Sequence, residues 1–205
     1  MDIERWRDLM ARLAFDGNDV VLQTLREAYS EPHRHYHTGQ HIDALLTHYD
    51  AVRAQAHQPE EVEVAIWFHD CIYKPFSSRN ELDSANFAVK FLQQNGADDR
   101  RCRHVYNLIM ATQHTASVAE FDQKLLVDID LSILGAPEQI YAQFEQAVRR
   151  EYRWVPMPIY RRKRKQLLVD FLNRASVFQT DYFRDKFERN ARDNLARAIV
   201  KLGNL

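Results

Sequence analysis

Histidine and aspartate residues of the kind that bind metal ions occur in three separate segments of this chain. His69 and Asp70 are adjacent, at the end of an apolar run that begins near Val62. A charged aspartate at the end of a buried helix is costly unless it is paired or bound to a cation. Successive residues point about 100° apart on a helix, so both side chains reach one ion only beyond the helix end. The pair therefore predicts two ligands of a single metal ion.

Further ligands must come from elsewhere, because two ligands do not make a tight site. Upstream, His37 and His41 are spaced i and i+4, which places them on one face if the segment is helical. Downstream, Asp128 and Asp130 interrupt an apolar run in which leucine or alanine would be expected. Imidazole nitrogens combined with carboxylate oxygens suit an open site for divalent Mn, Fe, Co, Ni, Zn or Mg better than a closed structural zinc site.

These side chains need helices to position them, and the apolar spacing is helical nearly throughout. Glycine is scarce, at five residues, and no alternating strand pattern lies between turn signals. Thr38 is expected to cap the helix that carries His41, and Pro59 to open the helix that ends in His69. A short helix near 125–134 would carry the two downstream aspartates. The sequence predicts an all-α fold.

The bulk composition limits the classes of function. A length of 205 residues suits one domain, and 45% apolar residues suffice for a core. With 28 basic and 29 acidic residues the net charge is -1, which gives no overall attraction to nucleic acid or to an anionic membrane. We expect no membrane span, because no apolar run reaches about 18 residues. Two cysteines without CxxC spacing, and no signal-peptide pattern at the N-terminus, indicate a cytoplasmic protein.

The ordered pattern of His41, then His69-Asp70, then Asp130 resembles that of the HD superfamily of metal-dependent phosphohydrolases. A bare His-Asp dipeptide is common by chance, so the wider context carries the resemblance. That context is similar to an uncharacterised bacterial family of predicted HD phosphohydrolases, and the similarity extends over about residues 30–200. The segments that carry it are Tyr36–Ile42, Trp67–Asp70, Asn80–Ala85, Asp128–Gly135, Arg150–Tyr152 and Glu188–Leu195.

This resemblance implies one helical bundle of the HD type over residues 1–205, with a core at about 30–135 and helices at 137–202 packing on it. It implies a single divalent metal ion held by His41, His69, Asp70 and Asp130. The frame Ile129-Asp130-Leu131 fits the superfamily, which favours Asp130 over Asp128 as the ligand. Three residues are then alternate ligands or supports that orient a ligand or a water: Asp128, His37 and His114.

The resemblance also suggests residues for phosphate-ester hydrolysis. Besides Asp70, Glu81 is the candidate that accepts or positions the proton of the attacking water. Lys74 and Arg79, in the loop after the His-Asp pair, would meet the charge of the phosphate. His114 could instead bind phosphate, protonate a leaving group or hold a second metal ion.

Three functions stay open at this point. The first is a phosphomonoesterase or phosphodiesterase that uses a metal-activated water on a small phosphorylated substrate, such as a nucleotide. The second is a metal-containing binding or signalling module without catalysis. The third is a nucleic-acid-associated protein using the basic run 161–165, which is more simply a solvated helix face; the net charge makes this the weakest of the three. A homodimer is a further possibility.

Overall fold

The chain is described here by a computed structural model that covers residues 1–114 and 118–203. Within these ranges every regular element is a helix, which confirms the all-α prediction. The chain divides into two compact units, Met1–Val127 and Asp128–Leu205. Among the described residues, no helix combines the length and the apolar character needed to cross a membrane.

The first unit consists of helices joined by short loops. They are α1 (Ile3–Leu13), α2 (Asp19–Ala28), α3 (Gly39–Asp50), a 3-10 helix (Arg53–Gln55), α4 (Pro59–Phe68), α5 (Asn80–Gln94), α6 (Asp99–Ala111) and α7 (Phe121–Leu131). The boundary between the units falls inside α7, which is one continuous helix. The Asp2 carboxylate accepts a hydrogen bond from the Glu4 amide and caps α1, and Asp98 caps α6 in the same way.

Helix α4 is the central element of the first unit. Pro59 occupies its first turn, as the sequence predicted, and every residue from Glu61 to Phe68 is buried. A helix that is buried on every face must be covered on all sides, and α4 packs against α1, α3, α5 and α6. Trp67 meets the Trp6 ring edge-on, with ring centroids 5.4 Å apart. The chain leaves α4 at His69, so the His-Asp pair starts from the most buried helix of this unit.

The buried carboxylates of this unit have partners supplied by the protein. Glu63 is paired with Arg5 and Arg12, each at 2.8 Å. Glu61 accepts from His104 Nδ1 at 2.6 Å and from Arg100 at 2.8 Å. Burial raises the pKa of Glu61, but the hydrogen bonds from His104 and Arg100 outweigh burial and the pKa is lowered. The same contact raises the pKa of His104.

Asp122, on α7, stabilises the start of α4. Its two carboxylate oxygens accept hydrogen bonds from the His57 and Gln58 amides, each at 2.8 Å. These amides precede the first turn of α4, where backbone donors have no partner within the helix. A side chain distant in sequence therefore does what a local cap residue usually does.

The second unit contains a 3-10 helix (Ser132–Gly135), α8 (Glu138–Glu151), α9 (Met157–Leu172) and α10 (Asp181–Gly203). Helix α10 packs against α9 and against the 3-10 helix. The Asn194 amide donates to the Leu134 and Ala136 carbonyls, each at 2.8 Å. The contact is closest at Gly135, where an added Cβ would lie 2.6 Å from the Phe187 Cβ and 2.7 Å from the Phe187 carbonyl oxygen. Glycine at 135 is therefore required for this packing.

Gly135→Ala should destabilise the protein by about 1–3 kcal/mol, because helix α10 must move away to admit the methyl group. Gly17→Ala is the matched control, since the nearest atom to a Cβ there is 3.9 Å away. Urea unfolding followed by circular dichroism measures both variants. Equal stability of the two variants would contradict the close approach.

The Glu61–His104 pair should make stability depend on pH. A raised pKa in the folded state stabilises the fold below the unfolded value of 6.5, and this stabilisation is lost as pH rises through the folded pKa. The stability lost in His104→Gln should therefore be larger at pH 6 than at pH 9. Urea unfolding at the two pH values measures this, and the exposed His57, changed to Gln, is the control. A loss that grows with pH would contradict the pairing.

Candidate metal centre

His41 and His69 leave their helices at positions that turn both rings inward. His41 lies in the first turn of α3 and His69 directly follows α4; both side chains are buried. Thr38 precedes α3, as expected, but its side chain makes no capping hydrogen bond. Because α3 begins at Gly39, His37 lies before the helix, so the i, i+4 spacing of His37 and His41 does not place them on one helical face.

The ring orientation of His69 is fixed by the end of α4. Its Nδ1 lies 3.0 Å from the Ile66 carbonyl oxygen. A carbonyl oxygen can only accept, so Nδ1 carries the hydrogen and, in the neutral ring, Nε2 presents its lone pair. Metal-binding histidines commonly bond their second nitrogen to a carbonyl in this way. His69 is therefore prepared to bind a cation through Nε2.

Carboxylate oxygens surround the two Nε2 atoms. Asp70 Oδ2 lies 3.1 Å from His69 Nε2 and 3.8 Å from His41 Nε2. His41, His69 and Asp130 each offer a ligand atom, and these three atoms lie within 4.8 Å of one another. The cluster of His41, His69 and Asp130 could thus hold a metal ion, with Asp70 beside it.

The composition of this cluster calls for positive charge. The imidazole nitrogens of His41 and His69 lie near the carboxylates of Asp70 and Asp130, and carboxylates largely withdrawn from water are costly unless protons or a cation compensate their charge. Nitrogen and oxygen donors without a thiolate suit the borderline and hard divalent ions. The donor set therefore fits a divalent metal and leaves its identity open.

Aromatic rings cover the histidines from the side of the segment before α3. The Tyr36 ring centroid lies 4.7 Å from that of His41, and the His37 ring lies 6.0 Å from His41 and 4.4 Å from Tyr73. His37, which the sequence suggested as an alternate ligand or support, is thus next to His41 but outside the group of three ligand atoms.

Arg34, which sequence reasoning missed, joins the two segments that carry the histidines. Its side chain is fully buried and donates to the His37 carbonyl at 3.1 Å, to the Asp70 carbonyl at 2.7 Å and to the Cys71 carbonyl at 3.0 Å. A planar guanidinium with five donors can hold several carbonyls in a fixed relation. Arg34 could not be identified from the sequence, because it lies in a polar loop without helical periodicity.

The loop after Asp70 contains the suggested phosphate-binding cations. Asn80 closes it, since its side chain accepts from the Lys74 amide and donates to the Lys74 carbonyl, both at 3.0 Å. The Lys74 side chain is exposed, and the exposed Arg79 lies 3.6 Å from Asp83. Glu81 lies in the first turn of α5 and is half-buried. It does not belong to the group of metal-ligating side chains.

Asp128 and Asp130 have different surroundings although they are two residues apart. The Asp128 carboxylate accepts hydrogen bonds from the amides of Gln179 and Thr180, at 2.8 and 2.6 Å, and from the Thr180 hydroxyl at 2.7 Å. Burial raises the pKa of Asp128 to about 6, against the opposing effect of these donors. Asp128 thus holds the start of α10, whereas Asp130 belongs to the ligand group.

His114, the remaining alternate ligand, has left-handed backbone with φ of 56°. It directly precedes residues 115–117, which lie outside the described ranges. His114 is not a member of the grouped ligand atoms.

The chain was compared with protein-family models, curated proteins and solved structures, and no match was found. Function can therefore be inferred only from the sequence pattern and the geometry of the cluster.

The two aspartates can be separated by experiment. Asp128→Asn should destabilise the protein by about 2 kcal/mol, because the amide group that replaces the carboxylate has only one oxygen to accept the hydrogen bonds from Gln179 and Thr180. The metal content of the folded protein should stay unchanged. Asp130→Asn should lower the metal content instead. Urea unfolding and elemental analysis at pH 8 measure both effects. A folded Asp128→Asn protein without metal would overturn this division of roles.

Proposed function

We propose that this chain is a metal-dependent phosphohydrolase that cleaves a phosphate ester of a small molecule, such as a nucleotide. The observation that carries the proposal is the buried convergence of His41 and His69 with the carboxylates of Asp70 and Asp130. These residues follow one another along the chain in an order that resembles the ligand order of the HD superfamily. The sequence pattern and the geometry of the cluster therefore support the same assignment independently.

His41, His69, Asp70 and Asp130 are the residues that would hold the divalent ion. When bound, such an ion acts as a Lewis acid toward a phosphoryl oxygen and lowers the pKa of a water molecule toward neutrality. The bond from His69 Nδ1 to the Ile66 carbonyl keeps Nε2 available for binding. Arg34 donates to the carbonyls of His37 and Asp70 and thereby holds the two segments that carry the histidines in a fixed relative position.

Three residues near the His-Asp pair in sequence are assigned to substrate and proton transfer. Glu81, half-buried at the start of α5, would accept the proton of the attacking water, which a carboxylate in its charged form can do. Lys74 has no acidic partner within the described part of the chain and can meet a phosphate. Arg79 already has Asp83 at 3.6 Å, so its contribution to phosphate binding should be the smaller of the two.

The test compares the wild-type chain with His69→Ala, using the exposed His57→Ala as a matched control. Wild type, reconstituted with Mn, Co, Ni, Zn or Mg, should bind one divalent ion per chain and release phosphate from at least one nucleotide or aryl phosphate ester. His69→Ala should lose the ion and lower kcat/KM at least 100-fold, whereas His57→Ala should keep both. The readouts are elemental analysis, release of inorganic phosphate from monoesters and release of the alcohol product from diesters.

Two outcomes would count against the proposal in different ways. Wild-type metal content in folded His69→Ala would show that His69 does not hold the metal ion, and would contradict the proposed metal centre. If the metal-loaded wild type hydrolyses none of the esters with any of the metals, the proposed catalysis is contradicted. The alternative of a metal-containing binding or signalling module is then favoured.

A further inference from the structure

The second unit contains a groove that the proposed function does not use. It has a volume of about 450 Å³, which is in the range of small-molecule sites. Helices α8 and α9 and the end of α10 line it, and the lining residues include Glu145, Arg149, Arg150, Tyr160, Arg161 and Lys201. None of these residues is a member of the metal-ligating group.

The groove carries excess positive charge. Glu145 is the one acidic residue in its lining, and Arg164 neutralises it through a contact of 2.6 Å. Four basic lining residues remain, and they come from three helices: Arg149, Arg150, Arg161 and Lys201. Cations gathered in a concave surface raise the local concentration of anions.

One of these cations is held in place by the protein. Arg149 donates to the carbonyls of Tyr152 and Val155, and its guanidinium lies over the Tyr160 ring at 4.7 Å from the centroid. Arg150, Arg161 and Lys201 have no ion pair with any described residue, so their charges are available to a ligand. A fixed arginine beside adaptable cations is a suitable arrangement for an anionic group.

Tyr160 lies in the wall of the groove and has an unpaired hydroxyl. Its side chain is buried, with the residue 8% exposed, and its hydroxyl has no hydrogen-bond partner among residues 1–114 and 118–203. Buried hydroxyls without a partner are uncommon because they cost free energy. Met157, next to it in the lining, is 41% exposed. The groove thus offers cations and an apolar surface together.

We propose that this groove binds a small organic phosphate, whose phosphate meets Arg149, Arg161 and Lys201 and whose apolar part lies against Tyr160 and Met157. The volume and the presence of apolar lining favour a small molecule over the backbone of a nucleic acid. The inference does not depend on the proposed hydrolase activity, because it uses other residues and needs no metal.

The basic run 161–165 does not act as one surface. Arg161 lines the groove and Arg164 is engaged with Glu145, whereas Arg162 and Lys163 are exposed and do not line it. Arg162 and Lys163 therefore provide control positions of the same charge on the same helix.

The test measures binding of ADP and of inorganic pyrophosphate to the full-length protein by calorimetry, in EDTA so that the metal centre does not contribute. Wild type should bind one ADP per chain, more tightly than pyrophosphate because of the apolar contact. Arg161→Gln combined with Lys201→Gln should weaken ADP binding at least tenfold. Arg162→Gln combined with Lys163→Gln should change it less than twofold, and His69→Ala should leave it unchanged.

Tyr160→Phe separates binding from folding. Removing a buried hydroxyl without a partner should leave the unfolding midpoint unchanged or raise it. ADP affinity should change less than twofold, because the ring that the apolar part of the ligand contacts is kept. The proposal is overturned if wild type binds neither probe at millimolar concentration, or if the control pair weakens ADP binding as much as the groove pair. It is also overturned if a single-stranded oligonucleotide displaces ADP and both double variants weaken oligonucleotide binding equally.

Discussion

Compensation of buried charge is the constraint on which the first unit depends. Helix α4 is buried on all sides, yet it carries Glu61 and Glu63, and each of them is matched by basic side chains from other helices. Ionised groups in such positions are tolerated only with partners of opposite charge. At the end of the same helix, the groups that converge are imidazole nitrogens and carboxylates. The same rule, applied there, calls for protons or a metal ion as the source of positive charge.

Much of the fold and part of the site could be predicted from the sequence, because helical periodicity and the position of Pro59 are local signals. The His-Asp pair at the end of α4 was predictable for the same reason. The choice between Asp128 and Asp130 was not, since it depends on the amides of Gln179 and Thr180, about 50 residues away. Only the resemblance to the HD superfamily favoured Asp130, and that is the aspartate in the ligand group.

Cations illustrate a further limit of sequence patterns. A basic patch at the run 161–165 was the alternative to a solvated helix face. Successive residues on a helix point about 100° apart, so such a run is distributed around the helix rather than over one face. In the structure Arg161 and Arg164 have different neighbours. The groove instead collects Arg149, Arg161 and Lys201 from three helices. A charge cluster formed by distant segments leaves no trace in local composition.

The end of α4 shows why a histidine at position 69 can serve both fold and chemistry. The last carbonyls of any helix lack partners within it. Here the Ile66 carbonyl accepts from His69 Nδ1, and the Trp67 carbonyl accepts from the Tyr29 hydroxyl. Arg34 then binds the carbonyl of Asp70 in the turn that follows. Because one nitrogen of His69 completes the helix end, the other is directed toward His41 and Asp70 without a further ordering cost. The rigidity that burial of α4 demands thus also orients the cluster for a cation.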